Sequence, residues 1–192
     1  MTRVAILASG SGSNAEKIVE YLNSHDSIRV TAIVTNNQNA GVIERAERLR
    51  IPVEIIPNKE WSHPERVLTF FRNSKIDLIV LAGFLRLIPE FLIRDYPRHI
   101  VNIHPALLPD YGGKGMYGMN VHRAVCKNKE KESGITIHLV NKEYDRGEIL
   151  FQARCRVLPD DLPEDVQKKV QVLEHQFYPM IVEYLAAGIS AG

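Results

Sequence analysis

The segment Arg3-Val4-Ala5-Ile6-Leu7-Ala8-Ser9-Gly10-Ser11-Gly12-Ser13-Asn14 decides how the rest of the chain is read. Val4 to Ala8 is apolar without alternation, as in a strand buried on both faces. The Ser/Gly run ends it, and Ala15, Ile18, Val19 and Leu22 then recur at helical spacing within residues 14–24. Strand, glycine turn and helix make the opening half of a βαβ unit. The same alternation continues with strands expected at residues 28–35, 52–56, 77–82 and 99–103, and helices at 40–50 and 64–74. Unalternating strands separated by amphipathic helices indicate an α/β chain with a parallel sheet covered on both faces.

After residue 104 the pattern changes. Residues 105–120 are rich in Pro and Gly and read as a long loop. A helix is expected at 121–127, then two strands at 134–140 and 148–157 joined by a polar connection, which add an antiparallel extension to the sheet. A long helix is expected over 163–187, with Val166, Val170, Leu173, Phe177, Ile181 and Tyr184 on its apolar face and a kink at Pro179.

Composition excludes more than it proposes. The chain has 192 residues, 45% of them hydrophobic, with 24 Lys and Arg against 23 Asp and Glu for a net charge of +1. A length of this order buries roughly 70% of the unfolded surface, enough for a core without staples. The balanced charge argues against a nucleic-acid binder. Cys126 and Cys155 make no disulfide framework and no zinc spacing, which suits small buried hydrophobes in a reducing compartment. The most apolar stretch, residues 78–85, is far below the roughly 20 residues that span a bilayer. With no targeting segment apparent, a cytoplasmic domain that meets no membrane is expected.

Three places can carry chemistry. Residues 9–14 sit between a strand and a helix, where free N–H groups at a helix start favour an anion such as phosphate. The run lacks the Gly-Lys-Ser/Thr of a phosphate-binding P-loop, and with Lys17 rather than Gly or Ala read at the close-packing position it does not complete a Gly-x-Gly-x-x-Gly, so a plain turn capped by Asn14 stands beside the anion reading. Asn102 and His104 end the fifth strand. Two residues apart, they point to one side, at the edge of a parallel sheet where ligands bind. An amide beside an imidazole can stabilise an oxyanion and move a proton, or be a structural pair. Asp145, in Asp145-Arg146-Gly147, can hold a histidine tautomer or merely serve a turn. The other histidines, His25, His63, His99, His122, His138 and His175, show no metal-ligand spacing, so no metal is expected.

These stretches together resemble the phosphoribosylglycinamide formyltransferase family of the folate-dependent formyltransferases. The resemblance runs from residues 4–14 through Val80-Leu81-Ala82-Gly83-Phe84-Leu85-Arg86 and Asn102-Ile103-His104-Pro105-Ala106-Leu107-Leu108-Pro109 to Tyr144-Asp145-Arg146-Gly147 and Glu174-His175. It implies a mostly parallel Rossmann-like sheet flanked by helices, in one formyltransferase domain over 1–192. Residues 1–100 would form its nucleotide-binding-like half and 101–192 its catalytic and folate-binding half. It implies that Gly12, Ser13 and Asn14 cradle the phosphate of glycinamide ribonucleotide and that Glu174 contacts its ribose or glycinamide end. Leu85, Arg86, Leu87 and Ile88, with Asn102, would bind 10-formyltetrahydrofolate, the backbone of 85–88 meeting the pterin edge. Asn102, His104 and Asp145 match the catalytic trio. The substrate amine would attack the formyl carbon, Asn102 and a protonated His104 would serve the oxyanion and the leaving nitrogen, and Asp145 would raise the His104 pKa.

Both partners so implied are small molecules, the protein acting as a monomer or weak homodimer without nucleic acid or membrane. Two departures stand out: residues 110–120 form a longer loop than the common family pattern, and Arg66 is not assigned to the role of a family arginine placed nearby. A formyltetrahydrofolate hydrolase and a methionyl-tRNA formyltransferase, the sister activities, carry further domains for which 192 residues leave no room.

Overall fold

The computed structural model describes residues 1–190, and the last two residues of the expected 1–192 domain lie outside the described residues. Seven strands form one sheet in the order β3-β2-β1-β4-β5-β6-β7. The strands are β1 Thr2–Leu7, β2 Ile28–Thr35, β3 Val53–Ile55, β4 Leu78–Leu81, β5 Ile100–His104, β6 Glu132–Leu139 and β7 Ile149–Arg156. The first five are parallel, while β6 runs antiparallel to β5 and β7 antiparallel to β6. The helices are α1 Ser13–Leu22, α2 Val42–Leu49, α3 Pro64–Asn73, α4 Glu90–Asp95, α5 Met119–Lys127 and α6 Pro163–Ser190.

The unalternating strands are explained by two cores. Val4 and Ile6 of β1, with Leu78 and Val80 of β4, pack with α1, α2, α5 and α6 on one face. Ala5 and Leu7, with Ile79 and Leu81, face Val67 and Phe71 of α3 and Leu92 of α4 on the other. Side chains of successive residues alternate sides, so a strand covered twice must be apolar throughout. After β1 the chain moves outward to β2 and β3, then returns to lay β4 on the other flank of β1. That reversal opens a crevice at the carboxyl ends of the strands.

Three details differ from expectation. Helix α4 and a short 3-10 helix at Asn58–Ser62 were not anticipated, because one or two turns are too short to show periodicity. β5 extends one residue further, so His104 belongs to the sheet. On α6 the fully buried stripe is Val166, Val170, Tyr178, Val182 and Ala186; Leu173, Phe177 and Ile181 pack partly buried against the same core as expected, while Tyr184 is 76% exposed. Steps of four drift around a 3.6-residue helix, so the buried face turns as α6 crosses the molecule. The Tyr178 hydroxyl donates to the carbonyls of Leu81, at 2.8 Å, and Val101, at 3.3 Å, and so ties α6 to β4 and β5. Near the other end of α6, Thr2 Oγ1 donates to Ala186 O at 2.9 Å. α6 stays helical through Pro179. Among the described residues no helix is long and apolar enough to cross a membrane.

Candidate active site

A cavity of about 660 Å³ opens at the carboxyl ends of β1, β4 and β5. The glycine loop, the segment after β4, both polar residues of β5, the loop before α5, Asp145 and α6 all contribute to its wall. Every residue singled out in the sequence as catalytic or ligand-binding lies on that wall: Gly12, Ser13, Asn14, Leu85, Arg86, Leu87, Ile88, Asn102, His104, Asp145 and Glu174.

The glycine loop is braced from behind. Gly10 O accepts from Val42 N at 3.0 Å, and Arg45 Nε donates to Ser11 O at 2.8 Å. Gly12 stands at φ 76°, and a Cβ there would lie 2.4 Å from Val42 Cγ2, so only glycine fits. The cap of α1 is Gly12 rather than Asn14, and no side chain caps the helix. Its first N–H groups therefore remain available to an anion. Fully buried Ala15 supplies the small residue at the close-packing position of the glycine motif. Asn14 Nδ2 donates to Glu174 Oε2 at 3.0 Å, while Asn14 Oδ1 is buried with no protein partner. Burial pushes the Glu174 carboxyl above its ordinary value, and the Asn14 hydrogen bond opposes this.

Beyond β4 the chain turns at Gly83, at φ 77°. Leu85 and Leu87 are exposed and Ile88 is buried. The Leu85 N–H, expected to serve a ligand, already donates to Ser9 Oγ at 3.1 Å. Arg86 Nε is buried with no protein partner. Arg66 lies elsewhere, ion-paired with Glu54 and Glu60.

Asn102 and His104 share one side of β5 and stand opposite His138 and Thr136 of β6. His104 Nδ1 is 3.5 Å from Asp145 Oδ2, and His138 Nε2 is 3.6 Å from Asp145 Oδ1. The long loop holds this group: His104 Nε2 lies 2.8 Å from Tyr111 O, and Gly113 N–H donates to Asp145 Oδ2 at 2.9 Å. Burial would raise the Asp145 carboxyl, but His138, His104 and the Gly113 N–H together hold it below its ordinary value. Burial lowers the His104 pKa and outweighs the upward pull of Asp145, which acts in the expected direction, and of Tyr111 O. The free protein thus holds an ionised carboxylate beside a neutral imidazole.

Two histidines on this wall were not assigned from sequence. His138 Nε2 meets Asn102 Nδ2 at 3.0 Å and lies 3.6 Å from Asp145 Oδ1, and the alternation of Gly134, Thr136 and His138 with Ile135 and Ile137 was the signal for its facing this side of the sheet. His122 of α5 is buried with Nδ1 lacking a partner, and nothing in its spacing pointed to the cavity.

An imidazole, an amide and a carboxylate in one cavity with an uncapped helix start can stabilise an oxyanion and move a proton. The formyl transferase family matches residues 2–182, and the chain belongs to that family. The chain is 33% identical over 190 residues to the phosphoribosylglycinamide formyltransferase of Bacillus subtilis, covering 96% of this chain and 95% of that one. It is 42% identical over 187 residues to the chloroplastic phosphoribosylglycinamide formyltransferase of Arabidopsis thaliana, covering 94% of this chain. It spans 64% of the length of that plant relative. The crystal structure of phosphoribosylglycinamide formyltransferase from Anaplasma phagocytophilum aligns with a TM-score of 0.88 at 33% identity, over 97% of this chain and 88% of that one.

Proposed function

We propose that the chain transfers the formyl group of 10-formyltetrahydrofolate to the amine of 5'-phosphoribosylglycinamide. The products are 5'-phosphoribosyl-N-formylglycinamide and tetrahydrofolate, in de novo purine biosynthesis. The observation that carries this reading is the joining, in one cavity, of the uncapped glycine loop with Asn102, His104 and Asp145. The cavity volume lies within the range of about 300–1,000 Å³ common for small-molecule sites.

The ribonucleotide phosphate sits at Gly12, Ser13 and Asn14, and Glu174 meets its ribose or glycinamide end. Leu85, Arg86, Leu87 and Ile88 line the place of the flat pterin of the folate substrate, whose 10-formyl group supplies the carbon that is transferred. The acceptor amine forms a bond to that carbon, and the carbonyl π pair moves to oxygen, where the Asn102 amide can donate. As the pair returns, the bond to the folate nitrogen breaks. That nitrogen gains a proton while the new amide nitrogen loses one. His104 can carry this proton, and the ionised Asp145 beside it stabilises the imidazolium formed on the way.

We read residues 1–192 as one catalytic domain, 1–100 shaping the nucleotide side and 101–192 the folate and catalytic side; the single sheet shared by both halves supports this. We read the protein as a monomer or weak homodimer of the cytoplasm, a reducing compartment that the free thiols of Cys126 and Cys155 suit.

The purified chain, given both substrates, is expected to form product only when the ribonucleotide is present. His104→Ala and Asp145→Asn should each lose orders of magnitude in turnover while still binding both molecules. Folate release without ribonucleotide would favour hydrolysis, and near-normal rates in both variants would sink the assigned roles.

A further inference from the structure

His138 stands opposite Asn102 in the β5–β6 ladder and is only 2% exposed. Its Nδ1 lies 2.8 Å from Leu139 O. A carbonyl oxygen only accepts, so Nδ1 carries a proton. At 3.0 Å Nε2 meets Nδ2 of Asn102, and because an amide nitrogen only donates, Nε2 is the acceptor of that bond. The reversed amide would set the Asn102 oxygen against that lone pair. The backbone around the ring is crowded: a Cβ on Gly147 would lie 3.4 Å from His138 Nδ1 and 1.6 Å from Leu139 O. Asp145 Oδ1, 3.6 Å from Nε2, is too distant to displace the amide from it.

An amide nitrogen has two protons in one plane. With one given to His138, the other is directed away from the ring, and Asn102 lies on the cavity wall. We propose that His138 is a positioning residue that fixes the orientation of the Asn102 amide, so that its second N–H is presented to the oxyanion formed during formyl transfer. The proposal rests on the reading of this cavity as a formyl-transfer site. His138 lines the same cavity with only 2% of its surface exposed. Its contribution passes through Asn102, and the contact is set by strand register rather than by a loop.

Two substitutions separate this role from a merely structural one. Gln at 138 can place an amide oxygen near the position of Nε2, whereas Asn reaches only the position of Nδ1. His138→Asn should lose about a hundredfold in kcat, the cost of misplacing a catalytic group by about 1 Å, with KM nearly unchanged. His138→Gln should recover most of that loss. In an Asn102→Ala background, His138→Asn should cost nothing further, because the group it positions is gone. Equal losses in the Gln and Asn variants, a change in KM alone, or full additivity with Asn102→Ala would overturn the proposal. If His138→Asn fails to fold, substantial kcat in His138→Gln that drops no further than Asn102→Ala alone when the two are combined supports it, and loss of kcat in His138→Gln overturns it. An unsubstituted chain that transfers no formyl group to the ribonucleotide would overturn the functional reading instead, and the positioning role with it.

Discussion

Lowering the pH should destabilise the protein through His122 in particular. This residue is 2% exposed, its Nδ1 has no partner, and burial pulls its pKa down to about 4, with His104 acting in the same direction. The unfolded imidazole titrates near 6.5, so on acidification the unfolded chain takes up this proton first. The stabilisation is therefore fully present above about pH 6.5 and is lost as the pH falls toward 4. Linkage between these two values gives a loss of roughly 2–3 kcal/mol at pH 4.5 relative to pH 8. His122→Phe removes the titration with a ring of similar size. Urea unfolding of both proteins at pH 8 and pH 4.5 measures the difference. His104, His175 and Asp145 are also held below their ordinary values and destabilise on acidification, but they are present in both proteins and largely cancel. The acid-induced drop should be smaller in the variant by about 2–3 kcal/mol. Equal drops in the two proteins would refute the claim that His122 is buried neutral.

Gly112→Ala tests the grip of the long loop on Asp145: its Cβ would lie 2.5 Å from Leu108 Cδ2 and 3.2 Å from Asp145 Cβ. Overpacking of about 1–3 kcal/mol at that point should appear as a roughly tenfold or greater fall in single-turnover rate, and an unchanged rate would contradict it. Thr136→Val removes the hydroxyl that donates to Ala106 O and accepts from Leu108 N and Gln152 Nε2. Chemical denaturation should show a loss of about 2–4 kcal/mol, against less than about 1 kcal/mol if these bonds contribute little. Gly12→Ala should weaken ribonucleotide binding, measured by calorimetry, by about tenfold or more, since its Cβ collides with Val42 and spreads the loop. Unchanged affinity would place the phosphate elsewhere.

The parallel half of the fold was legible because burial on two faces writes itself as uninterrupted apolar strands. The turn of the buried stripe on α6 was not, since Tyr184 suits a helical face as well as Tyr178 does until the path of the helix is known. Asn102 and His104 could be paired from their spacing, because a strand returns to the same side every second residue. Asp145 reaches them only through the β6–β7 connection, and His138 only through the β5–β6 register, so no spacing along the chain reveals either contact. The net protonation preference of His104 was not legible for a related reason. The opposing charge was visible in the sequence, but the depth of burial that outweighs it was not.

The hydrogen bond from Thr2 to Ala186 has a consequence for attachment. It joins the entry of β1 to the last turns of α6, at the edge of the sheet opposite the cavity, since the parallel strands run from that edge toward the ligands. Polypeptide fused ahead of Thr2 or beyond α6 leaves from this back edge. The molecule thus has a mounting side and a working side, and it can be tethered, tagged or carried within a longer chain without obstructing the entrance its substrates use.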